Sequence, residues 1–156
     1  MTREQNAVTH RIALASDHAG YDLKSVIAEA LAARPGVAVL DLGPMDATRC
    51  DYPDYAKAVA KTVQSRDVDF GILVCGSGIG VSIAANRFSG VRAALASNAT
   101  TARLSREHND ANVLCLGSRL VGEVIALEAV DAFLNGQFAG GRHLSRIKKI
   151  DIEEAN

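Results

Sequence analysis

Tryptophan is absent from this chain, and aromatic residues of all kinds make up only 4% of it. Basic side chains interleaved with stacking rings, the usual nucleic-acid surface, are therefore missing. An excess of one charge is missing too: 17 Lys and Arg stand against 18 Asp and Glu, a formal net charge of −1. Neither nucleic acid nor an anionic membrane surface is implied as a partner. No apolar run is long enough to cross a bilayer. The opening MTREQNAVT has no apolar stretch of the kind a secretory leader needs. Cysteines number three, Cys50, Cys75 and Cys115. They are too few, and odd in number, for a disulfide framework, so free thiols in a reducing cytoplasm are expected. The four histidines, at 10, 18, 108 and 143, show no paired metal-ligand spacing, and no metal site is expected. What is present is 156 residues that are 48% hydrophobic. That suits one domain with a sizeable core over residues 10–156, C-terminal helix included, behind a polar tail over residues 1–9.

Short apolar runs alternate with longer amphipathic segments. Residues 11–16, 37–43, 68–75, 91–97 and 112–118 read as strands. Between the first two, Leu23, Val26, Ile27, Ala30 and Leu31 share one helical face, and Pro35-Gly36 ends that helix. Pro53 sits well at the start of the next helix. Further helices are expected over about 79–88 and 99–108. Segment 121–134 is apolar almost all round, which predicts deep burial. A loop and a terminal helix close the chain. Five strands separated by helices mean β-α-β units and a parallel sheet covered on both faces, a Rossmann-like arrangement. Ligands bind such sheets beyond the carboxyl ends of the strands. Those ends carry Ser16-Asp17-His18, Cys75-Gly76-Ser77-Gly78, Ser97-Asn98 and Gly117-Ser118-Arg119.

The third strand runs into GILVCGSGIG, residues 71–80. A dinucleotide fingerprint would place a glycine at 81, where Val81 stands, and would follow the first strand. A Walker loop needs a Lys-Ser/Thr pair that does not follow. A phosphatase loop needs an Arg six residues after Cys75, again at Val81. A phospho-receiver needs an Asp where Cys75 stands. What remains is physical: Gly76, Gly78 and Gly80 let several amides converge on one concavity, an anion hole with a thiol on its rim. Such a pair suits removal of a carbon-bound proton beside a carbonyl, with the amides holding the enediolate and Ser77 adding a hydrogen bond. The other reading makes Cys75 a small apolar filler at a strand end.

The remaining candidates each carry two readings. Asp17 and His18 serve as a base and an anion ligand, or as a helix cap beside an exposed His. His108 and Asn109 are functional, or simply a favourable helix C-terminus. Arg142 and Arg146, four apart on one helix face with His143 adjacent, hold a phosphate or form a solvated basic face. Arg119 faces the site or an ion-pair partner. Tyr52, in DYPDY, folds over a site or packs. Cys50 and Cys115 look structural.

Taken together, SDHAG (16–20), DYPDYA (51–56), GILVCGSGIGVSIAANRF (71–88), SREHNDANVLCLGSR (105–119) and GGRHLSRI (140–147) resemble the ribose/galactose sugar-phosphate isomerase family, in the right order, from about residue 11 to 150. The resemblance implies a three-layer α/β/α sandwich with a five-stranded parallel sheet. It implies an aldose-ketose isomerase that works through a cis-enediolate without metal or organic cofactor. Ribose 5-phosphate and ribulose 5-phosphate are the expected pair; allose 6-phosphate, galactose 6-phosphate or a tetrulose phosphate are alternatives, as is a non-catalytic phosphosugar-binding module. By motif, Cys75 is the implied base. Ser77 and the amides of residues 76–80, Gly76, Gly78 and Gly80 among them, stabilise the enediolate, and Asn109 holds its oxygens. His108 and Asp17 open the furanose ring. His18, Arg119, Arg142 and Arg146 bind phosphate, and Tyr52 lines the sugar pocket. A homodimer or tetramer with the site shared between subunits is implied, with His108, Asn109 and Arg119 expected from the partner. Many relatives carry Thr in place of Ser77. Cys75, with Gly80-Val81 further along, places the chain in the cysteine branch rather than the one that uses a Glu.

Overall fold

The protein is described here by a computed structural model over residues 7–151. Five parallel strands form one sheet in the order β2-β1-β3-β5-β4. They are β1 (His10–Ser16), β2 (Val37–Asp41), β3 (Phe70–Cys75), β4 (Ala93–Leu95) and β5 (Val113–Gly117). The helices between them are α1 (Tyr21–Ala32), α2 (Tyr52–Gln64), α3 (Ile79–Ala85), α4 (Ala99–Asn109), α5 (Glu123–Asn135) and α6 (Arg142–Ile147). Alternate strand residues face opposite layers. Ile12, Leu14, Ile72, Val74, Leu114 and Leu116 pack with α1, α4 and α5. Ala13, Ala15, Leu73, Cys75, Val113 and Cys115 pack with α2 and α3. The expected α/β/α sandwich is the observed one.

The chain passes from β1 outward to β2, then back across to β3 on the other side of β1. The carboxyl ends of β1 and β3 therefore flank the crevice where the direction of winding reverses, the place where such sheets bind ligands. Asp17-His18 and Cys75-Gly76 lie at those two ends.

Several boundaries differ from the sequence reading. Strand β4 has three residues rather than seven, because it is an edge strand with only β5 beside it. Helix α3 stops at Ala85, where the Asn86 side chain turns to bond both the N–H and the C=O of Ala93. Helix α5 is not deeply buried all round. Ala126, Ala129, Val130, Phe133 and Leu134 are buried, but Val124 is 69% exposed, because an outer-layer helix meets the sheet on one side only. On α1 the buried set is Leu23, Lys24, Ile27 and Leu31; Ala30 is exposed. Most of the expected tail, residues 1–6, lies outside the described residues, as does the chain beyond 151. Thr9 is already tied down, its N–H and hydroxyl both donating to the Gly36 carbonyl.

Candidate active site

A cleft of about 430 Å³ opens at the carboxyl end of the sheet. Asp17, His18, Tyr52, Cys75, Gly76, Ser77, Gly80 and Arg119 line it, with Ala19 and Leu120. Eight of the expected site residues thus meet in one chain. A larger groove, about 720 Å³, lies elsewhere, among Arg11, Arg66, Asp69 and Arg92. Two of its arginines are already paired, Arg11 with Asp69 and Arg92 with Asp110, and its lining holds no thiol or imidazole. The smaller cleft is the one with chemistry.

The loop after β3 has a definite construction. Gly78 adopts φ +76, and a Cβ there would meet the Leu95 side chain at 2.5 Å and the Leu116–Gly117 backbone at about 3 Å. Only glycine has both the conformation and the room. That turn brings the Gly78 N–H onto the Cys75 sulfur at 3.1 Å. The amide donor fixes where the sulfur sits in the loop. Cys75 is 4% exposed, so it is at once part of the apolar layer and the floor of the cleft. Ser77 Oγ accepts from the Ile79 N–H at 3.2 Å, which leaves its hydroxyl proton to donate outward. Two of the converging amides are therefore engaged by the loop's own side chains.

The walls are equally fixed. Asp17 is buried; its Oδ1 accepts from the Gly20 N–H at 2.9 Å. The turn-capping and site readings of this residue are thus compatible. His18 Nδ1 lies 3.1 Å from the Cys50 carbonyl oxygen and 3.3 Å from the Cys50 amide nitrogen. Either tautomer is anchored there, and Nε2 is the ring's remaining nitrogen. The Tyr52 ring lies against α3: a Cβ on Gly80 would come within 2.6 Å of it. Arg119 donates its N–H to the Gly76 carbonyl, and its guanidinium lies over Gly76. The expectation that Arg119 reaches the cleft from a partner is corrected: it belongs to the same chain's cleft, because β5 pairs with β3 and Gly117 stands beside Cys75.

His108, Asn109, Arg142 and Arg146 are not in this cleft. His108, at the end of α4, stacks on His143 of α6 with ring centroids 4.5 Å apart. Burial, then the charges of His108, Arg142 and Arg146, holds the His143 pKa below its ordinary value. These four side chains form a second cluster. Asn109 lines a separate crevice with Asn86, Arg92 and Ala111. Since α4 runs back along the sheet, the cluster lies at the amino end of β5, and Gly117, beside Cys75, at the other. Five strand residues span about 16 Å. His143 escaped the sequence reading except as a neighbour of Arg142; adjacency of two helices creates its role. Cys115, next to Cys75 in the same layer, has its pKa pushed up by burial and then by Cys75.

A doubly covered parallel sheet with a thiol and converging amides at its winding reversal defines an α/β protein built to handle a small anionic ligand. Comparison with known proteins makes this specific. Residues 12–150 match the Ribose/Galactose Isomerase family. The chain is 50% identical over 144 residues to ribose-5-phosphate isomerase B of Escherichia coli, covering 92% of this chain and 96% of that one. It is similar to the solved ribose 5-phosphate isomerase of Thermotoga maritima, with TM-score 0.89, 50% identity, and 92% and 98% coverage. It is also similar to ribose-5-phosphate isomerase B of Mycoplasma genitalium, solved with ribulose 5-phosphate bound, with TM-score 0.86, 48% identity, and 92% and 95% coverage. The chain belongs to the ribose/galactose isomerase family and is a sugar-phosphate isomerase. Among the described residues no helix is long and apolar enough to cross a membrane.

Proposed function

We propose that the protein interconverts ribose 5-phosphate and ribulose 5-phosphate by proton transfer through a cis-enediolate, with Cys75 as the base. The observation that carries this reading is the Gly78 N–H on the Cys75 sulfur, 3.1 Å away at the floor of the cleft. A ribulose 5-phosphate-bound relative at 48% identity supports the substrate. The thiolate takes the C2 proton of the open-chain aldose. The resulting charge spreads over O1 and O2, and a proton moves between those oxygens. Protonated sulfur then returns its proton to C1, giving the ketose; no other reactant is consumed. The Ser77 hydroxyl donates to the enediolate, and Asn109 holds its oxygens. Asp17 and His108 open the furanose ring, His18, Arg119, Arg142 and Arg146 hold the phosphate, and Tyr52 lines the sugar pocket.

These roles require the two clusters to meet, and within one chain they are separated by about the length of β5. A second copy reconciles them: its His108, Asn109, Arg142 and Arg146 complete this chain's cleft. Apolar side chains at the cleft end of the sheet, Ile79 and Ile83 on α3 and Leu95 on β4, are 40–62% exposed and supply a surface for such an assembly. The enzyme so assembled works in the cytoplasm as a homodimer or a pair of such dimers, and as one catalytic domain over residues 10–156.

The test is isomerisation of ribose 5-phosphate by the purified protein beside Cys75→Ser. A loss of about 10²- to 10⁴-fold in kcat is expected for removal of a positioned base. Undiminished turnover in the variant would remove Cys75 from the role. Turnover on allose 6-phosphate alone would keep the chemistry and change the substrate. Phosphosugar binding without turnover on either sugar would favour the regulatory module.

A further inference from the structure

Helix α4 ends in SREHND, residues 105–110, and the manner of its ending is unusual. Asp110 is left-handed, φ 45 and ψ 43, a conformation normally given to Gly or Asn at helix ends. The Ala111 N–H reaches back to the Ser105 carbonyl and the Asp110 N–H to that of Arg106, so the helix closes in a complete C-terminal motif. An aspartate in that conformation is strained and persists only where its surroundings over-determine it.

Two arginines do so. Arg106 Nη1 donates to Asp110 Oδ1 at 2.7 Å and to the Ala111 carbonyl at 2.7 Å. Arg92, from the segment leading into β4, donates Nη2 to Asp110 Oδ2 at 3.1 Å and Nε to the Asp110 carbonyl at 2.9 Å. Arg106 is only 8% exposed, and its guanidinium lies 4.8 Å from the Phe70 ring centroid and 5.8 Å from that of Phe133. Its Nε finds no acceptor among the described residues, so Asp110 is the one carboxylate that balances it. One carboxylate thus locks the last turn of α4 to β4 and, through Phe70, to the sheet. His108 and Asn109 are the two residues immediately before it.

We propose that Asp110, gripped by Arg92 and Arg106, is a positioning residue that aims the His108–Asn109 pair for ring opening. This rests on the reading of His108 under Proposed function. Helix ends fray when left to themselves. A pair that must reach into a neighbouring copy's cleft needs a fixed terminus, and the carboxylate with its charge-assisted bonds provides one.

Asp110→Gly keeps the left-handed backbone without strain and removes the carboxylate; Asp110→Asn keeps one acceptor oxygen. His108→Asn is the reference. In Asp110→Gly, kcat on ribose 5-phosphate should fall roughly 10- to 100-fold, the scale of a misaimed catalytic group. KM should change by less than about threefold. The forward rate should also stop rising with enzyme concentration, because the aldehyde must then come from ring opening in solution; ribulose 5-phosphate, which cannot form a furanose, should show no such ceiling. Asp110→Asn should recover part of the loss, and amide hydrogen exchange at His108 and Asn109 should quicken in both variants. Wild-type turnover with unchanged exchange in Asp110→Gly would overturn the proposal. So would a loss that disappears on cooling until the variant is fully folded, which marks a purely structural role. If His108→Asn itself retains wild-type turnover, the ring-opening reading fails. The clamp is then decided by exchange alone: faster exchange at residues 108 and 109 upholds it, and unaltered exchange overturns it.

Discussion

Lys24 lies on the buried face of α1 beside Leu23, Ile27 and Leu31. It is 2% exposed, and its ammonium donates to both Asp41 oxygens at 2.8 and 3.0 Å and to the Pro44 carbonyl at 2.6 Å. The pair pins the chain after β2 to α1, and that chain continues to Cys50, whose backbone grips His18. The two halves of the pair are unequal. Asp41→Ala would leave a buried ammonium with a single carbonyl and should cost about 3 kcal/mol. Lys24→Met would leave a carboxylate that is 34% exposed and still accepts from the Gly43 N–H at 2.9 Å, and should cost about half as much. Urea unfolding of the two variants checks the order; equal losses would show that burial of the ammonium is not what matters. Nothing in the residue pattern distinguishes Lys24 from an exposed lysine, because its partners come from β2 and the following loop, and the helix itself is silent about them.

At the scale of elements, α4 and α6 matter most. The N–H of Ala139 donates to the Glu107 carbonyl at 2.9 Å, and His143 then lies flat against His108. His143 is neutral over a wider range than an ordinary histidine, because a proton there meets partial burial and the charges of His108 on α4 and of Arg142 and Arg146 on its own helix. With the folded value lowered, the unfolded form takes up the proton first. No stability is lost above the ordinary histidine range; it is lost as pH falls through that range toward the lowered folded value. Protection of the α6 amides, corrected for intrinsic exchange, should therefore fall as pH drops through the ordinary histidine range, and the change should be flattened in His143→Gln. An α6 whose protection ignores pH over that interval would show that the stack is not coupled to docking of the helix. The sequence shows Arg142 and Arg146 on one face, since i,i+4 spacing is a property of a single helix. It cannot show the His108–His143 stack, which needs α6 to dock at the end of α4.

For the whole molecule, the decisive feature is that the chain holds two clusters at opposite ends of β5. If one copy's His108 serves another copy's Cys75, then Cys75→Ser and His108→Asn are each inactive alone, yet a mixed dimer contains one intact site with both native residues. Unfolding the two variants together and refolding them should restore about a quarter of wild-type activity, since half the dimers are mixed and half their sites work. Absence of any recovery, with mixed dimers shown to form, would refute the shared site. The mixing experiment is read with ribose 5-phosphate, because ribulose 5-phosphate forms no furanose and would not report the loss of His108.

The sequence alone determined the alternation of strands and helices, the sheet covered on both faces, and the concentration of Asp17, His18, Cys75, Ser77 and Arg119 at strand ends. These are consequences of local periodicity and of loops that must follow strands, so they are written in order along the chain. Only the tertiary structure decided that β5 lies between β3 and β4, and hence that Arg119 shares a cleft with Cys75. It alone also decided that Lys24 and Arg106 are buried with carboxylate partners, that α5 leaves one face to solvent, and that His108 stands a strand's length from the thiol. Each of these depends on contacts between residues distant in the chain, about which spacing along a single element carries no information.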